Sequence, residues 1–251
     1  MLEVDGLSKR FGGLAALSEV NLSIKKGEIV SLIGPNGAGK TTCLNLITGF
    51  YKPSAGRVRY CDGDITGCAP HAIAQRGLVR TFQKTNVLRG LSVFGNVLTA
   101  RYRQGETSLL RTFFLHGGRR ERELRDEAAA LIETVGLGGR MNAEADSLSC
   151  GELRLLEIAV ALGASPRLLM LDEPAAGLNT HEAEQLGLVL KRLMNTHLQS
   201  MLLVEHNMAL VMAISDRIVV LDFGRKIAEG TPAEIRANPA VVAAYLGKPV
   251  A

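Results

Sequence analysis

The sequence contains no tryptophan, and aromatic residues make up only 4% of its 251 positions. Platforms for stacking nucleic-acid bases are therefore scarce. A dominant charge is missing as well, since 29 Lys and Arg face 25 Asp and Glu for a formal balance of +4. So small a balance over this length gives no argument for a nucleic-acid partner. Long hydrophobic runs are absent: stretches such as Leu155 to Ala164 and Arg217 to Leu221 are short and interrupted by charges, far from the roughly 18 apolar residues that cross a bilayer. Acidic Glu3 and Asp5 occupy the N-terminus without an apolar segment, so neither a signal peptide nor a lipidation motif is expected, and the chain is expected in the cytosol. Four cysteines, Cys43, Cys61, Cys68 and Cys150, lack C-x-x-C spacing, which predicts reduced and mostly buried thiols. What remains is an ordinary globular composition, 47% hydrophobic and 22% charged. It disfavours both disorder and a coiled-coil rod, and the length can bury a sizeable core.

Two hydrophobic rhythms organise the chain. Val20, Leu22 and Ile24, and later Val58 and Tyr60, alternate with polar residues as in half-buried antiparallel strands. By contrast, Glu28 to Ile33, Leu168 to Leu171, Met201 to Val204 and Ile218 to Leu221 are continuous apolar runs, as in parallel strands buried on both faces. Helical patterns separate them, among them Glu182 to Met194, with Leu186, Val189, Leu190 and Leu193 on one stripe and Asn179 with Glu182 as an N-terminal cap. Strands alternating with helices predict an α/β fold with a doubly wound parallel sheet. From about Val87 to Leu148 the spacing is helical: Leu124, Ala128, Leu131, Ile132 and Val135 share a stripe that Gly136 and Gly138 end. Upstream, Arg101, Arg103, Arg111, Arg119, Arg120, Arg122 and Arg125 form a basic stretch around Phe113 and Phe114, read either as a solvated helical face or as a membrane or partner contact. Thr231-Pro232-Ala233-Glu234 is a second capping box, with Pro232 at the first helical position.

Gly34-Pro35-Asn36-Gly37-Ala38-Gly39-Lys40-Thr41 matches G-x-x-x-x-G-K-[ST] in full, between a strand and the apolar helix pattern of Cys43, Leu44, Leu46 and Ile47. Glycines there let backbone N–H groups turn toward an anion, Lys40 can reach β- and γ-phosphates, and Thr41 can bind Mg²⁺. A purely structural glycine turn is the alternative. A phosphate cradle needs a second metal ligand, and Asp172, at the end of the Leu168 run, supplies one, directly or through water. Glu173 is then placed to polarise an attacking water beside the γ-phosphate. His206, after the Met201 run, emerges at the same sheet edge. Gln83, in Arg80-Thr81-Phe82-Gln83, lies where the core gives way to the helical region; spacing alone leaves it an ordinary loop residue.

These motifs, in this order, resemble the nucleotide-binding subunits of ABC transporters over Leu2 to Gly247. Gly34 to Thr41 looks like Walker A, Gln83 like the Q-loop, and Leu148-Ser149-Cys150-Gly151-Glu152 like the signature. Leu168 to Glu173 looks like Walker B, Gly177-Leu178-Asn179 like the D-loop, and His206 like the switch histidine. The resemblance narrows to the LivG-type subunit of branched-chain amino acid importers on Phe11-Gly12-Gly13-Leu14, Leu46 to Pro53, Val79 to Gln83, Asp172 to Asn179 and Tyr245-Leu246-Gly247.

The resemblance implies a P-loop NTPase fold with a RecA-like parallel core, an N-terminal antiparallel β subdomain and an inserted α-helical subdomain. As a single cassette it would place the core in 1–86 and 155–251 and the helical subdomain with the signature in 87–154. It implies ATP and Mg²⁺ as ligands, with Gly34 to Thr42 on the phosphates. Thr41, Gln83 and Asp172 would serve the metal, and Glu173, His206 and Gln83 the catalysis. Ser149, Gly151 and Glu152 would face the nucleotide of an opposite cassette. Phe11 stands where the family has an aromatic on adenine, with core packing as the alternative. Expected partners are a second cassette, LivF-type or a second copy, two transmembrane permease subunits and, indirectly, a substrate-binding protein, but no nucleic acid. The place would be the cytoplasmic face of a bacterial inner membrane. Importers of urea, short amides or aromatic acids have similar ATPases, and a weakly hydrolysing regulator is a further alternative. The signature departs from pattern: Cys150 stands where Gly is usual and Glu152 where Gln is common. In the helix that follows, Leu153, Leu155 and Val160 replace polar or basic residues. That implies either a weaker contribution to hydrolysis in the partner's site or altered membrane contacts.

Overall fold

The computed structural model describes residues 1–81, 87–105 and 119–246. Gln83, Arg111, Phe113 and Phe114 lie outside the described residues. In chain order the elements are β1 (Leu2–Phe11), β2 (Leu14–Ile24), β3 (Ile29–Ile33), α1 (Lys40–Ile47), β4 (Ala55–Tyr60), β5 (Gly63–Asp64), α2 (Pro70–Gln75) and β6 (Leu78–Arg80). Helices α3 (Val93–Gly105), α4 (Arg119–Thr134) and α5 (Cys150–Gly163) follow. The chain continues through β7 (Leu168–Asp172), α6 (Thr180–Thr196), β8 (Ser200–Val204), α7 (Met208–Ile214), β9 (Arg217–Asp222), β10 (Arg225–Gly230), α8 (Pro232–Ala237) and α9 (Pro239–Leu246). It divides into two compact units: Met1–Arg80, Arg167–Glu173 and Leu198–Ala251 form one, Thr81–Pro166 and Pro174–His197 the other.

The first unit holds two sheets. An antiparallel sheet runs β2-β1-β4-β5, and a second sheet runs β10-β9-β3-β8-β7-β6. In the latter every pairing from β9 to β6 is parallel, with β10 added antiparallel at one edge. The two rhythms of the sequence map onto the two sheets. Val20, Leu22 and Ile24 of β2 are buried in alternation, whereas all five residues of each of β3, β7 and β8 are buried. A parallel strand flanked on both faces has no wet side, so polarity has no place along it. Helix α1 lies in the core joining the sheets, where Leu44 and Ile47 pack with Leu2, Leu7, Leu168 and Met170. Each such side chain contributes roughly 1.5–3 kcal/mol by leaving water.

The second unit is helical among its described residues. Leu124, Ala128, Leu131 and Ile132 bury one face of α4, and Gly136, at φ 86°, ends it. Both α5 and α6 begin with capping boxes, Ser149 with Glu152 and Asn179 with Glu182. Arg101 ties α3 to Glu127 of α4 and to the Gly163 carbonyl at the end of α5. Arg119 and Arg120 pair with Glu123, and Arg125 with Glu121, so these three guanidiniums find their carboxylates within their own helix. Pairs of this spacing support an exposed helix, and they fit a solvated face and a partner contact alike.

The thiols correct an expectation. All four are free, but only Cys43 is buried, Cys68 being half-buried and Cys61 and Cys150 exposed. Cys61 occupies a turn at φ 45° and Cys150 the first residue of α5, both places where the local chain points side chains outward. Burial pushes the Cys43 thiol up to about 12.

Candidate functional site

In a parallel sheet the carboxyl ends of the strands share one edge, and β3, β6, β7 and β8 there deliver Gly34, Arg80, Asp172 and Glu205. After β3 the backbone is pressed against its neighbours. A Cβ at Gly34 would lie 2.1 Å from the Leu221 carbonyl oxygen. Gly39, the N-cap of α1 at φ 100°, would bring one to 2.8 Å from the Ala16 carbonyl oxygen. Only glycine fits either position. The turn between β9 and β10 braces the loop from the other side: Gly224 donates to the Ala38 carbonyl at 3.0 Å and accepts from the Ser18 N–H at 2.8 Å. This presents Phe223, 86% exposed, beside the loop.

Lys40 opens α1 and folds back, its Nζ donating to the carbonyls of Gly34 at 2.7 Å and Pro35 at 3.0 Å. Burial draws its ammonium below the usual lysine value, opposed by the Glu173 and Asp172 carboxylates. The charge is stored on loop carbonyls, next to a cavity of about 360 Å³. Asn36 to Thr42 line that cavity together with Glu173, Leu14 to Ala16, Phe223 and Gly224. Backbone amides at a helix N-terminus, a lysine and a glycine-rich turn around a cavity make an anion site of phosphate chemistry.

Asp172 ends β7 with 4% of its side chain exposed. Its Oδ2 receives Nη2 of Arg80 at 2.7 Å, and Nη1 of the same guanidinium donates to Asn45 Oδ1 of α1 at 2.7 Å. Thr41 and Asp172 offer hydroxyl and carboxylate oxygens, and among the described residues no group of three His, Cys, Asp or Glu forms a closed metal cage. That donor set fits a hard cation such as Mg²⁺, completed by phosphate oxygens and water.

Glu173 has φ 50°, in the left-handed region, yet its N–H still donates to the Val204 carbonyl at 2.8 Å. A non-glycine residue in that region costs on the order of 1–3 kcal/mol and is held there by its surroundings. His206 Nδ1 lies 3.9 Å from Glu173 Oε2 and 3.9 Å from Glu205 Oε2. Glu205, fully buried, accepts from the N–H groups of His206 and Asn207, both at 2.8 Å, and so fixes the loop that carries the histidine.

The structure thus brings Asn36 to Thr42, Asp172, Glu173 and His206 to one edge, with Gly34 and Pro35 holding Lys40. Phe11 is not among the cavity residues; its ring packs edge-on to Tyr51 at 5.4 Å, with Lys9 Nζ 5.0 Å above it. Ser149, Gly151 and Glu152 belong to the second unit at the start of α5. There the Ser149 N–H and the Arg140 guanidinium hold the Glu152 carboxyl below its usual value. Gln83 lies outside the described residues. Sequence reasoning passes over Arg80, Glu205 and the Leu14 to Ala16 wall. Arg80 has a signal, a charge on a strand leading toward Gln83; Glu205 has none beyond adjacency to His206.

The family model described as ABC transporter matches residues 17–176, and a second, branched-chain amino acid ATP-binding cassette transporter, matches 225–251. The high-affinity branched-chain amino acid transport ATP-binding protein LivG of Escherichia coli (strain K12) is 46% identical over 250 residues, 99% of this chain and 98% of that protein. A crystal structure of the ADP conformation of an ATP-binding cassette of an ABC transporter superposes with TM-score 0.86 at 33% identity, covering 99% of both chains. A dimeric post-hydrolysis cassette bound to ADP and Pi superposes with TM-score 0.77 at 25% identity, over 92% of this chain and 99% of that one.

Proposed function

The chain belongs to the ABC transporter family, and from that membership we propose that it binds and hydrolyses ATP to power import of branched-chain or other hydrophobic amino acids through partner membrane subunits. The observation that carries this reading is the end-to-end similarity to LivG, over 99% of this chain.

In this reading the backbone of Gly34, Pro35, Asn36, Gly37, Ala38 and Gly39 wraps the phosphates with Thr42, while Lys40 leaves its loop carbonyls for phosphate oxygens. Thr41 and Asp172, with Gln83 from the resemblance, hold Mg²⁺. Bound there, that cation would offset phosphate charge. Glu173 accepts a hydrogen bond from the attacking water and polarises it, and His206 orients Glu173 and the γ-phosphate. Phe11 contacts adenine, and Ser149, Gly151 and Glu152 serve the nucleotide of the opposite cassette. That cassette is LivF-type or a second copy; dimeric relatives support the arrangement. ATP binding closes the pair and hydrolysis reopens it.

The chain is one cassette, with its helical part, 87–154, docking on two permease subunits that are fed by a substrate-binding protein. No described helix is long and apolar enough to cross a membrane. As in relatives that belong to membrane transporters, its place is peripheral, on the cytoplasmic face of a bacterial inner membrane. The test is reconstitution with the permease pair, second cassette and binding protein in vesicles. ATP-dependent uptake of labelled leucine supports the assignment. Uptake of urea, a short amide or an aromatic acid in its place overturns the substrate, and absence of phosphate release overturns the enzyme in favour of a regulator.

A further inference from the structure

Arg80 is one of two charged side chains meeting at the carboxyl end of the sheet, with 5% of its side chain exposed against 4% for that of Asp172. A buried carboxylate needs a counter-charge, and a guanidinium in direct contact supplies one. A counter-charge alone would require only a cation. The fork does more: Nη2 takes Asp172 Oδ2 at 2.7 Å while Nη1 takes Asn45 Oδ1 at 2.7 Å and approaches Thr48 Oγ1 at 3.4 Å. Thr48 is itself anchored, its hydroxyl donating to the Leu44 carbonyl at 2.6 Å. One planar group therefore ties the last residue of β7 to α1.

The place on α1 matters. Asn45 is four residues after Thr41, so the two share a face of the helix. The chain Asp172–Arg80–Asn45 thus spans from one proposed cation ligand to the helix face that carries the other. We infer that Arg80 is a positioning residue for the metal side of the nucleotide site, holding the Asp172 carboxylate in a fixed orientation and at a fixed spacing from Thr41. The inference rests on the nucleotide site proposed above. Partners that orient a metal ligand commonly change metal affinity by about 10–100-fold when removed. A lysine keeps the charge but not the two-pronged plane, and so separates geometry from counter-charge.

The test is nucleotide binding to the purified full chain, followed by calorimetry with ATP in excess EDTA and then across an Mg²⁺ titration, for wild type, Arg80→Lys and Asn45→Ala. Asn45→Ala leaves the buried ion pair intact and so keeps the test alive if Arg80→Lys fails to fold. Both variants are expected to bind ATP in EDTA within about 2-fold of wild type while needing roughly 10-fold more Mg²⁺ for half its effect. An Mg²⁺ midpoint unchanged in the folded variants overturns the assignment, and a lower midpoint overturns it too, because Arg80 would then be a competitor of the cation. A wild-type chain that binds no nucleotide in either condition overturns the nucleotide site itself. A wild type whose Mg²⁺ dependence the variants share overturns Arg80 alone.

Discussion

His206 Nδ1 stands 3.9 Å from Glu173 Oε2, joining the residue that follows β7 to the loop that follows β8. Register explains the meeting, because Asp172 pairs directly with Val204 and the two chains leave the sheet side by side. The strained φ of 50° at Glu173 and the Glu205 clasp on the His206 loop hold the pair in place. Replacement of His206 by Ala should leave ATP affinity nearly unchanged and reduce turnover by roughly 100-fold or more, as loss of a preorganised group acting in the transition state does. Comparing equilibrium ATP binding with steady-state phosphate release in the assembled transporter checks this split.

Lys40 already holds its ammonium on two loop carbonyls, so binding phosphate exchanges neutral acceptors for charged ones. Lys40→Ala should weaken ATP binding by about 10–100-fold, the equivalent of about 1.5–3 kcal/mol for a hydrogen bond to a charged group. Calorimetric titration of the purified chain measures it directly.

Steric limits on the loop give a stability prediction that needs no nucleotide. Gly34→Ala places a methyl 2.1 Å from the Leu221 carbonyl oxygen and should cost about 2–3 kcal/mol. At Gly37, where φ is 80° but an added methyl would meet no atom within 4 Å, Ala should cost about 1 kcal/mol from backbone strain alone. Urea unfolding of the two variants should rank them in that order.

Acid should loosen the start of β3. Burial alone would raise the Glu28 carboxyl, but Arg217 and the Lys25 N–H outweigh it and hold it below its usual 4.5. Glu229, on the other side of Arg217, is also held low against its burial, by Lys226 first and then by Arg217. A depressed carboxylate contributes stability that is complete above its unfolded value and is lost as pH falls through its folded one. Arg217→Ala should therefore destabilise by about 2–3 kcal/mol at neutral pH, with the difference from wild type shrinking as pH drops below about 4.5. Thermal melts of both proteins between neutral and acidic pH provide the measurement.

Legibility in the sequence follows physical scale. Strands β3, β7, β8 and β9 can be read because central parallel strands exclude polar residues, and α6 because Asn179 and Glu182 cap each other locally. The phosphate loop can be read because close backbone approach at Gly34 and Gly39 forces glycine at fixed spacing. The partners of Arg80 cannot, despite the charge on its strand, because β6 is only three residues long and sets up no period, and those partners lie 35 and 92 positions away. Glu205 escapes for the same reason, since nothing local announces that a carboxylate will be wholly buried. The thiols depart from expectation because cysteine's average preference for the interior says little about a turn residue such as Cys61 or a helix start such as Cys150.

In the proposed reaction this cassette hydrolyses ATP with Glu173 acting on the attacking water. Phosphate release by the assembled transporter, wild type against Glu173→Gln, tests it most directly. Wild type is expected to release phosphate steadily and the variant to lose roughly 100-fold or more while it still binds ATP and accumulates as a closed cassette dimer. Turnover of Glu173→Gln close to that of wild type would contradict it.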